Sequence, residues 1–111
     1  ARAKAEGGNV TLVRKPEDAV KDADVIVTDT WVSMGDDEEK DLRMKVFKKY
    51  TVDAPLLHLA SPDARVLHCL PAHRGQEISD EVMEGGQSLV WDEAENRLHA
   101  QKALLVRLLK K

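Results

Sequence analysis

Short apolar runs alternate with polar, amphipathic stretches along the chain. Two of the runs, Asn9–Val13 and Asp24–Thr30, are rich in β-branched residues, and the second is nearly continuously apolar. Such a run is typical of a strand that is covered on both faces. Two further runs, Arg65–Leu70 and Ser88–Ala94, have the same character. The pattern therefore predicts four strands.

The segments between these runs carry helix signals. Pro16 lies in the first turn of a predicted helix at 15–23. Asp53 and Ser79 are N-cap residues of two more short helices, because their side-chain oxygens can accept hydrogen bonds from the first turn. Two longer helices are predicted at 38–50, where Leu42, Val46 and Tyr50 recur four residues apart, and from about Glu93 to the C-terminus, where Leu98, Leu105 and Leu108 share one face.

Strand and helix alternate throughout, so the rules of chain connection predict a mostly parallel sheet with right-handed crossovers. We expect one α/β domain over residues 1–111, a parallel four-stranded sheet with helices on both faces, of the half-Rossmann or flavodoxin-like kind. In such sheets the functional residues lie in loops beyond the carboxyl ends of the strands. Three segments occupy that position: 29–35, 69–75 and 92–97.

Composition narrows the classes of partner. The chain of 111 residues has a formal net charge of -3, so no overall positive field favours nucleic acid or an anionic membrane surface. No apolar run approaches the roughly 20 residues that a membrane span needs. The single cysteine fits a reducing compartment, and we expect a cytoplasmic protein without a cofactor.

The loop after the second predicted strand holds the first candidate groups. Asp29 ends that strand, where its carboxylate either pairs with a substrate ammonium group or hydrogen-bonds its own loop. Ser33 and Met34, followed by Gly35, either offer a hydroxyl and main-chain groups at the same place or form only a turn. The residues alone leave both alternatives open.

The loop after the third predicted strand holds the only cysteine. Cys69 follows His68, and neighbouring strand residues point to opposite faces, so the two cannot bind one metal ion together. We predict no metal site. Cys69 is either a small buried hydrophobe or a functional thiol. Arg97 either binds an anion through two hydrogen bonds or forms an ion pair with Glu93 on the surface.

Three segments, residues 23–43, 68–82 and 88–105, together resemble the carboxyl-terminal part of an ornithine carbamoyltransferase. They read ADVIVTDTWVSMGDDEEKDLR, HCLPAHRGQEISDEV and SLVWDEAENRLHAQKALL. The resemblance runs in order from about Ala1 to Leu109. Three separate motifs in the family's order make it far more specific than any one of them.

The resemblance implies a transferase of arginine biosynthesis, which moves a carbamoyl group from carbamoyl phosphate to the δ-amino group of ornithine and releases citrulline and phosphate. It also implies roles for residues of all three segments. Asp29, Ser33 and Met34 would bind the amino-acid end of ornithine. Cys69, as the catalytic residue, would lie with Leu70 beside the reacting amine and the carbamoyl group. Arg97 would contact carbamoyl phosphate.

The family's amino-terminal domain, whose Ser-Thr-Arg-Thr motif binds phosphate, has no counterpart in residues 1–111. We therefore expect a truncated ornithine-binding domain, a fragment of the enzyme that is inactive in isolation. One alternative is a stand-alone structural or weak amino-acid-binding module, and another is a fragment that carbamoylates putrescine or a different amine. An incomplete sheet also predicts a homodimer through an exposed sheet edge or helix faces.

Overall fold

The computed structural model describes residues 2–32 and 39–110. Along this part of the chain, two α-helices precede the first strand, two lie between the strands and two follow the second strand. The helices are α1 (Arg2–Ala5), α2 (Pro16–Val20), α3 (Lys40–Phe47), α4 (Ala54–Leu57), α5 (Asp80–Met83) and α6 (Val90–Leu109), the strands are β1 (Val25–Thr28) and β2 (Arg65–His68), and Lys48–Tyr50 form a 3-10 turn.

The strands β1 and β2 pair in parallel, in a register that runs from Val25 opposite Arg65 to Thr28 opposite His68. Between them the chain passes through α3 and α4, as a parallel pair requires, because its strands can be joined only by a long crossover. The predicted α/β class and the parallel pairing are confirmed. The predicted number of strands is not, since the described residues form a two-stranded sheet.

The first predicted strand, residues 9–13, has no regular secondary structure. Its apolar side chains are open to solvent, with Leu12 95% and Val10 62% exposed. A strand exists only when its backbone groups pair with a neighbour, and no described strand lies beside this segment. The β-branched composition favours a strand, but composition cannot supply the neighbouring strand that pairing requires.

The last predicted strand, at 88–94, is reduced to one parallel bridge between Ser88 and Val66. Val66 donates its N–H to Gln87 at 2.9 Å and accepts the N–H of Leu89 at 2.9 Å. The chain then turns directly into α6, which begins at Val90, earlier than predicted. A helix is favoured here because Asp92 and Glu93 lie in its first turn, where the helix dipole favours negative charge.

The core lies on one face of the sheet, where Ile26 and Val66 point inward. The opposite face of β1 is open, since Val25 and Val27 are 52% and 69% exposed. The prediction that helices cover both faces of the sheet is therefore wrong at β1. The buried cluster consists of Val20, Ile26, Val52, Leu56, Val66, Ile78, Val82, Met83 and Val90.

Two predicted helix caps are confirmed. The carboxylate of Asp53 accepts the N–H of Leu56 at 3.0 Å at the start of α4. The hydroxyl of Ser79 accepts the N–H of Val82 at 3.3 Å at the start of α5. These bonds satisfy first-turn donors that a helix cannot satisfy itself, so both short helices begin where the sequence predicts.

The helix predicted at 38–50 is shorter than expected, and α3 ends at Phe47. Its predicted apolar face is not buried, because Leu42 and Val46 are 64% and 51% exposed. The contacts are aromatic instead, with the Phe47 ring 6.2 Å from Trp31 and 6.2 Å from Tyr50, centroid to centroid. Within residues 2–32 and 39–110, no helix is both long and apolar enough to cross a membrane.

Candidate functional site

The parallel register brings two predicted site residues together. Because Thr28 and His68 are the last paired residues of β1 and β2, Asp29 and Cys69 leave the sheet side by side. The thiol of Cys69 donates a hydrogen bond to Oδ1 of Asp29, with the sulfur 3.1 Å from the oxygen. Both residues are exposed, so they lie at an open mouth on the carboxyl edge of the sheet.

This contact sets the charge of each partner. The pKa of Asp29 is lowered, first by the hydrogen bond from Cys69 and then by the N–H of Thr30, which donates to Oδ1 at 2.7 Å. The pKa of Cys69 is raised, first by its hydrogen bond to the Asp29 carboxylate and then by burial. A thiolate is the nucleophilic form of cysteine, so at neutral pH Cys69 acts as a protonated donor beside a carboxylate.

The backbone after β2 is held by the preceding side chain. Leu70 has a positive φ of 56°, in the left-handed region that a branched residue seldom adopts. Its N–H donates to Nδ1 of His68 at 2.9 Å. His68 can reach it because side chains alternate along a strand, which turns His68 into the protein together with Val66. The bond fixes the direction in which the chain leaves the sheet after Cys69.

The side chain of His68 contacts a second buried residue, Glu77. Its Nε2 lies 3.1 Å from Oε1 of Glu77, and both side chains are fully buried. Since Nδ1 accepts from a backbone N–H, the imidazole is neutral and Nε2 donates its proton to the carboxylate. Oε1 of Glu77 also accepts the N–H of His73. Glu77 therefore ties both ends of the loop 69–73 to one point in the core.

One carboxylate oxygen of this pair lacks a partner. Oε2 of Glu77 is buried and makes no hydrogen bond within residues 2–32 and 39–110. Leaving a buried acceptor unpaired costs free energy, on the order of 1–3 kcal/mol. The Glu77 carboxylate thus retains an unused acceptor behind the mouth.

The loops after β1 and β2 also touch each other directly. Oγ1 of Thr30 lies 3.2 Å from Nδ1 of His73 and 3.2 Å from the carbonyl oxygen of Val32. This contact joins the loop that carries Asp29 to the loop that carries Cys69. The two loops therefore form one hydrogen-bonded edge rather than two independent segments.

Helix α6 contacts the same edge through Glu93. Its Oε2 accepts the N–H of His68 at 3.0 Å. Arg97 comes four residues later and so lies on the same side of the helix as Glu93. Its side chain is exposed and forms no ion pair with Glu93 or with any other described residue. The structure places Arg97 one turn beyond the anchor of α6 and brings it into no contact with Asp29 or Cys69.

The remaining predicted site residues divide into two groups. Leu70, directly after Cys69, is half-buried and packs against the core cluster. Ser33 and Met34 lie outside the described residues. In the described part of the chain, no group of three or more histidine, cysteine, aspartate or glutamate side chains could hold a metal ion.

Sequence reasoning missed the support behind the mouth. For His68 a signal exists, because the alternation of β2 indicates that its side chain points into the core beside Val66. Glu77 and Glu93 gave no signal, because a single glutamate in a polar stretch is normally a surface residue. Their roles depend on contacts between distant parts of the chain.

Known proteins are similar to this chain over most of its length. The model of the family "Aspartate/ornithine carbamoyltransferase, Asp/Orn binding domain" matches residues 1–108. The chain is 67% identical over 108 residues to an ornithine carbamoyltransferase of Methanoculleus marisnigri, and 58% identical over 102 residues to one of Geobacter metallireducens. These matches cover 97% and 92% of the chain but 35% and 34% of the relatives. The chain thus spans about a third of the length of the curated relatives that it matches.

Solved structures agree with the sequence relatives. The ornithine carbamoyltransferase of Pyrococcus furiosus has a TM-score of 0.85 at 52% identity, over 94% of this chain and 33% of that one. The anabolic enzyme of Campylobacter jejuni has a TM-score of 0.89 at 43% identity, over 96% and 35%. Because the family match, the close relatives and the fold agree over nearly every residue, this chain belongs to the Asp/Orn-binding-domain family of the aspartate/ornithine carbamoyltransferases.

Proposed function

We propose that this chain supplies the ornithine-binding part of an ornithine carbamoyltransferase, which converts carbamoyl phosphate and ornithine to citrulline and phosphate. One observation carries the proposal, the hydrogen bond from Cys69 to Asp29 at the carboxyl edge of the parallel strands. This edge is where open α/β sheets bind their ligands. The identity of the amine substrate is taken from the names of the relatives, and the site contains groups that could bind such an amine.

Asp29 suits the α-ammonium group of ornithine. Its lowered pKa keeps the carboxylate charged throughout the neutral range. Oδ1 is occupied by Cys69 and Thr30, whereas Oδ2 has no partner among the described residues. An ammonium group at Oδ2 would form a charge-assisted hydrogen bond, which is stronger than a neutral one. Ser33 and Met34 are proposed to complete this end of the substrate site.

Cys69 is proposed to lie beside the reacting δ-amine. Attack on the carbamoyl carbon needs an unprotonated amine held close to an oriented carbonyl group. The raised pKa of Cys69 keeps its thiol protonated, so the cysteine positions groups and does not attack the carbamoyl carbon itself. Cys69 and Leu70 would fix the amine and the carbamoyl group, because His68 and Glu77 hold their backbone.

Arg97 is proposed to contact carbamoyl phosphate. It is the exposed cation that follows the Glu93 anchor, and a guanidinium group matches a phosphate bidentately. One arginine at an open mouth cannot replace a preorganised, water-excluding site for the leaving phosphate. We therefore expect the isolated chain to form no citrulline, measured colorimetrically with both substrates present. Turnover above background would contradict this part of the proposal.

A hybrid enzyme tests the proposed roles. The 108 matching residues of the Methanoculleus marisnigri relative would be replaced by those of this chain. We expect citrulline formation, and we expect Asp29→Asn to lower kcat/KM for ornithine by about tenfold to a hundredfold through loss of a charged hydrogen bond. Putrescine, which lacks the amino-acid end, should be a poor substrate of the hybrid.

The matched control is Asp24→Asn, the same substitution just before the other end of β1. Asp24 is exposed, and only its backbone oxygen is used, by the N–H of Arg65. The Asp24 variant should keep the hybrid's kcat/KM. A folded hybrid without activity, or equal losses in the two variants, would refute the proposed function, and a preference for putrescine would refute ornithine as the amine.

A further inference from the structure

Hydrogen bonds hold His68 behind the mouth through its backbone and through both of its ring nitrogens. Its backbone N–H donates to Oε2 of Glu93 at 3.0 Å, and its Nδ1 accepts the N–H of Leu70 at 2.9 Å. Its Nε2 lies 3.1 Å from Oε1 of Glu77, which also accepts the N–H of His73. The imidazole therefore links the loop after β2 to a carboxylate in the core.

The two ring nitrogens of His68 have opposite roles in these bonds. A neutral imidazole has one N–H donor and one acceptor nitrogen, and the partner of each nitrogen decides which one carries the proton. An ionised carboxylate accepts hydrogen bonds but donates none, so Glu77 favours the proton on Nε2. Nδ1 then remains the acceptor that the N–H of Leu70 requires. The other tautomer would direct an N–H of the ring at the N–H of Leu70.

A buried pair of histidine and glutamate is an unusual way to fill a core. Both side chains are fully buried, and Oε2 of Glu77 makes no hydrogen bond among the described residues. Replacing two hydrogen-bonded groups by apolar groups of the same shape is often nearly neutral for stability. Leu70, by contrast, has a φ of 56°, a conformation that a branched residue keeps only where its surroundings hold it. The pair therefore matters most for the backbone of the loop after β2.

We propose that Glu77 is a positioning residue for carbamoyl transfer and that it acts through His68. By keeping the proton of His68 on Nε2, Glu77 preserves the acceptor for the N–H of Leu70 and so sets the backbone of Cys69 and Leu70. This inference rests on the proposed function, in which Cys69 and Leu70 lie beside the δ-amine and the carbamoyl group. Because reacting groups must be held in a narrow range of geometries, a small displacement of this backbone slows the reaction without removing a group that binds substrate.

The location of Glu77 determines which kinetic constant should change. The amino-acid end of ornithine is assigned to Asp29, whose carboxylate accepts the N–H of Thr30 on the loop after β1. Glu77 contacts the loop after β2, through His68 and His73. Loss of Glu77 should therefore lower kcat and change KM for ornithine little, because binding of the amino-acid end is retained.

Citrulline formation by the hybrid enzyme tests the role of Glu77. We expect Glu77→Leu to lower kcat per folded molecule by about tenfold to a hundredfold, with KM for ornithine changed by about twofold or less. Glu77→Gln keeps an oxygen that can accept from Nε2 of His68, so its kcat should stay within about threefold of the unaltered hybrid. Circular dichroism during urea unfolding gives the folded fraction of each variant.

The matched control is Val20→Ala, at a buried residue of α2 shortly before β1 begins. It removes apolar atoms from the core and so lowers stability, but it precedes the amino end of β1, whereas the mouth lies at the carboxyl end. We expect its kcat per folded molecule to be unchanged. Equal losses of kcat in Val20→Ala and Glu77→Leu, an unchanged kcat in Glu77→Leu, or a rise in KM alone would overturn the proposal.

A pair of variants at His68 tests the acceptor itself. The amide group in His68→Asn takes about the position of Nδ1, whereas the amide group in His68→Gln takes about the position of Nε2. His68→Asn can therefore still accept the N–H of Leu70, and its kcat should exceed that of His68→Gln by about tenfold. Equal kcat values, or the opposite order, would show that the acceptor for Leu70 is not what positions the reacting groups.

The tautomer of His68 can be measured without enzyme activity. Nuclear magnetic resonance of the isotope-labelled 111-residue chain distinguishes a protonated ring nitrogen from an unprotonated one, and the signals lost in His68→Asn assign them. We expect the proton on Nε2 in the unaltered chain and in Glu77→Gln, and a fraction with the proton on Nδ1 in Glu77→Leu. A proton on Nδ1 in the unaltered chain, or an unchanged tautomer in Glu77→Leu, refutes this inference. An inactive hybrid refutes the proposed function instead, so the two failures are distinguishable.

Discussion

The mouth of the sheet and the second half of α6 contrast sharply. At the mouth, polar side chains are held by a buried network in which His68 and Glu77 have no exposed surface. On α6 the situation is reversed, because leucines that would normally be buried lie in water. Polar groups are therefore inside and apolar groups outside, in two parts of one small protein.

The contrast separates two kinds of structural requirement. Around the mouth, hydrogen bonds between residues of the chain hold Asp29, Cys69 and the histidine behind them. Leu98, Leu105 and Leu108 of α6 share one face, as the residues of a buried surface do, but each is more than half exposed. The mouth is thus held by hydrogen bonds within the chain, while the leucines of α6 remain exposed among the described residues.

The largest difference in stability should appear when a buried apolar side chain of the core and an exposed one of α6 are each truncated to alanine. We expect Ile78→Ala, at a fully buried residue, to lower the free energy of unfolding by about 2–5 kcal/mol. Leu108→Ala, on α6, should change it by about 0.5 kcal/mol or less. Urea unfolding of the two variants and of the unaltered chain measures both changes. Similar losses in the two variants would show that α6 is packed within the single chain.

A smaller difference in the free energy of unfolding should distinguish substitutions at two histidines, His68 and His99. His68→Leu leaves the Leu70 N–H without an acceptor and removes one of the two donors to Oε1 of Glu77. We expect a loss of about 2–3 kcal/mol in the free energy of unfolding. His99→Leu removes only an exposed contact of 3.4 Å to Glu95 on α6 and should cost about 0.5 kcal/mol or less. If both variants unfold at the same urea concentration, the buried network contributes nothing measurable.

The smallest effect concerns protonation at the mouth. Because its pKa is raised in the fold, Cys69 should react with iodoacetamide along a pH profile displaced above that of an ordinary thiol. Asp29→Asn removes the charged acceptor, so it should move the profile to lower pH. Asp24→Asn should leave the profile in place. A profile at or below the ordinary thiol range would contradict the hydrogen bond.

The same contacts link the stability of the fold to pH. The lowered pKa of Asp29 adds stability that is present above the ordinary aspartate range and is lost as pH falls through the lowered pKa. The raised pKa of Cys69 has the opposite sign, with stability present below the ordinary thiol range and lost as pH rises through the raised pKa. Solvent screening keeps both contributions small, because both groups are exposed.

Local signals predicted the two helix caps but not the length or the buried face of α3. The caps at Asp53 and Ser79 are confirmed because a cap depends on a few neighbouring residues. The prediction failed at 9–13 and at 88–94, where the strand pattern is present but full strand pairing is not. Strand propensity describes a surface that fits a sheet, and the sheet itself depends on residues far away in the chain.

The candidate site shows the same division. Asp29 and Cys69 could be placed at one edge from the sequence, because parallel strands end on the same side. Their direct hydrogen bond could not, since it needs the register that sets Thr28 opposite His68. The support from Glu77 and Glu93 was invisible for a similar reason, because burial of a glutamate is decided by what packs over it.

By itself, the amino-acid sequence determined the α/β class, the helix caps, the amphipathic stripe of α6 and the family to which the chain belongs. Each of these depends on the spacing of residues along the chain. Only the tertiary structure decided the number of strands, the open face of β1, the raised pKa of Cys69 and the buried pair of His68 and Glu77. These depend on contacts between distant segments, and such contacts set both burial and charge.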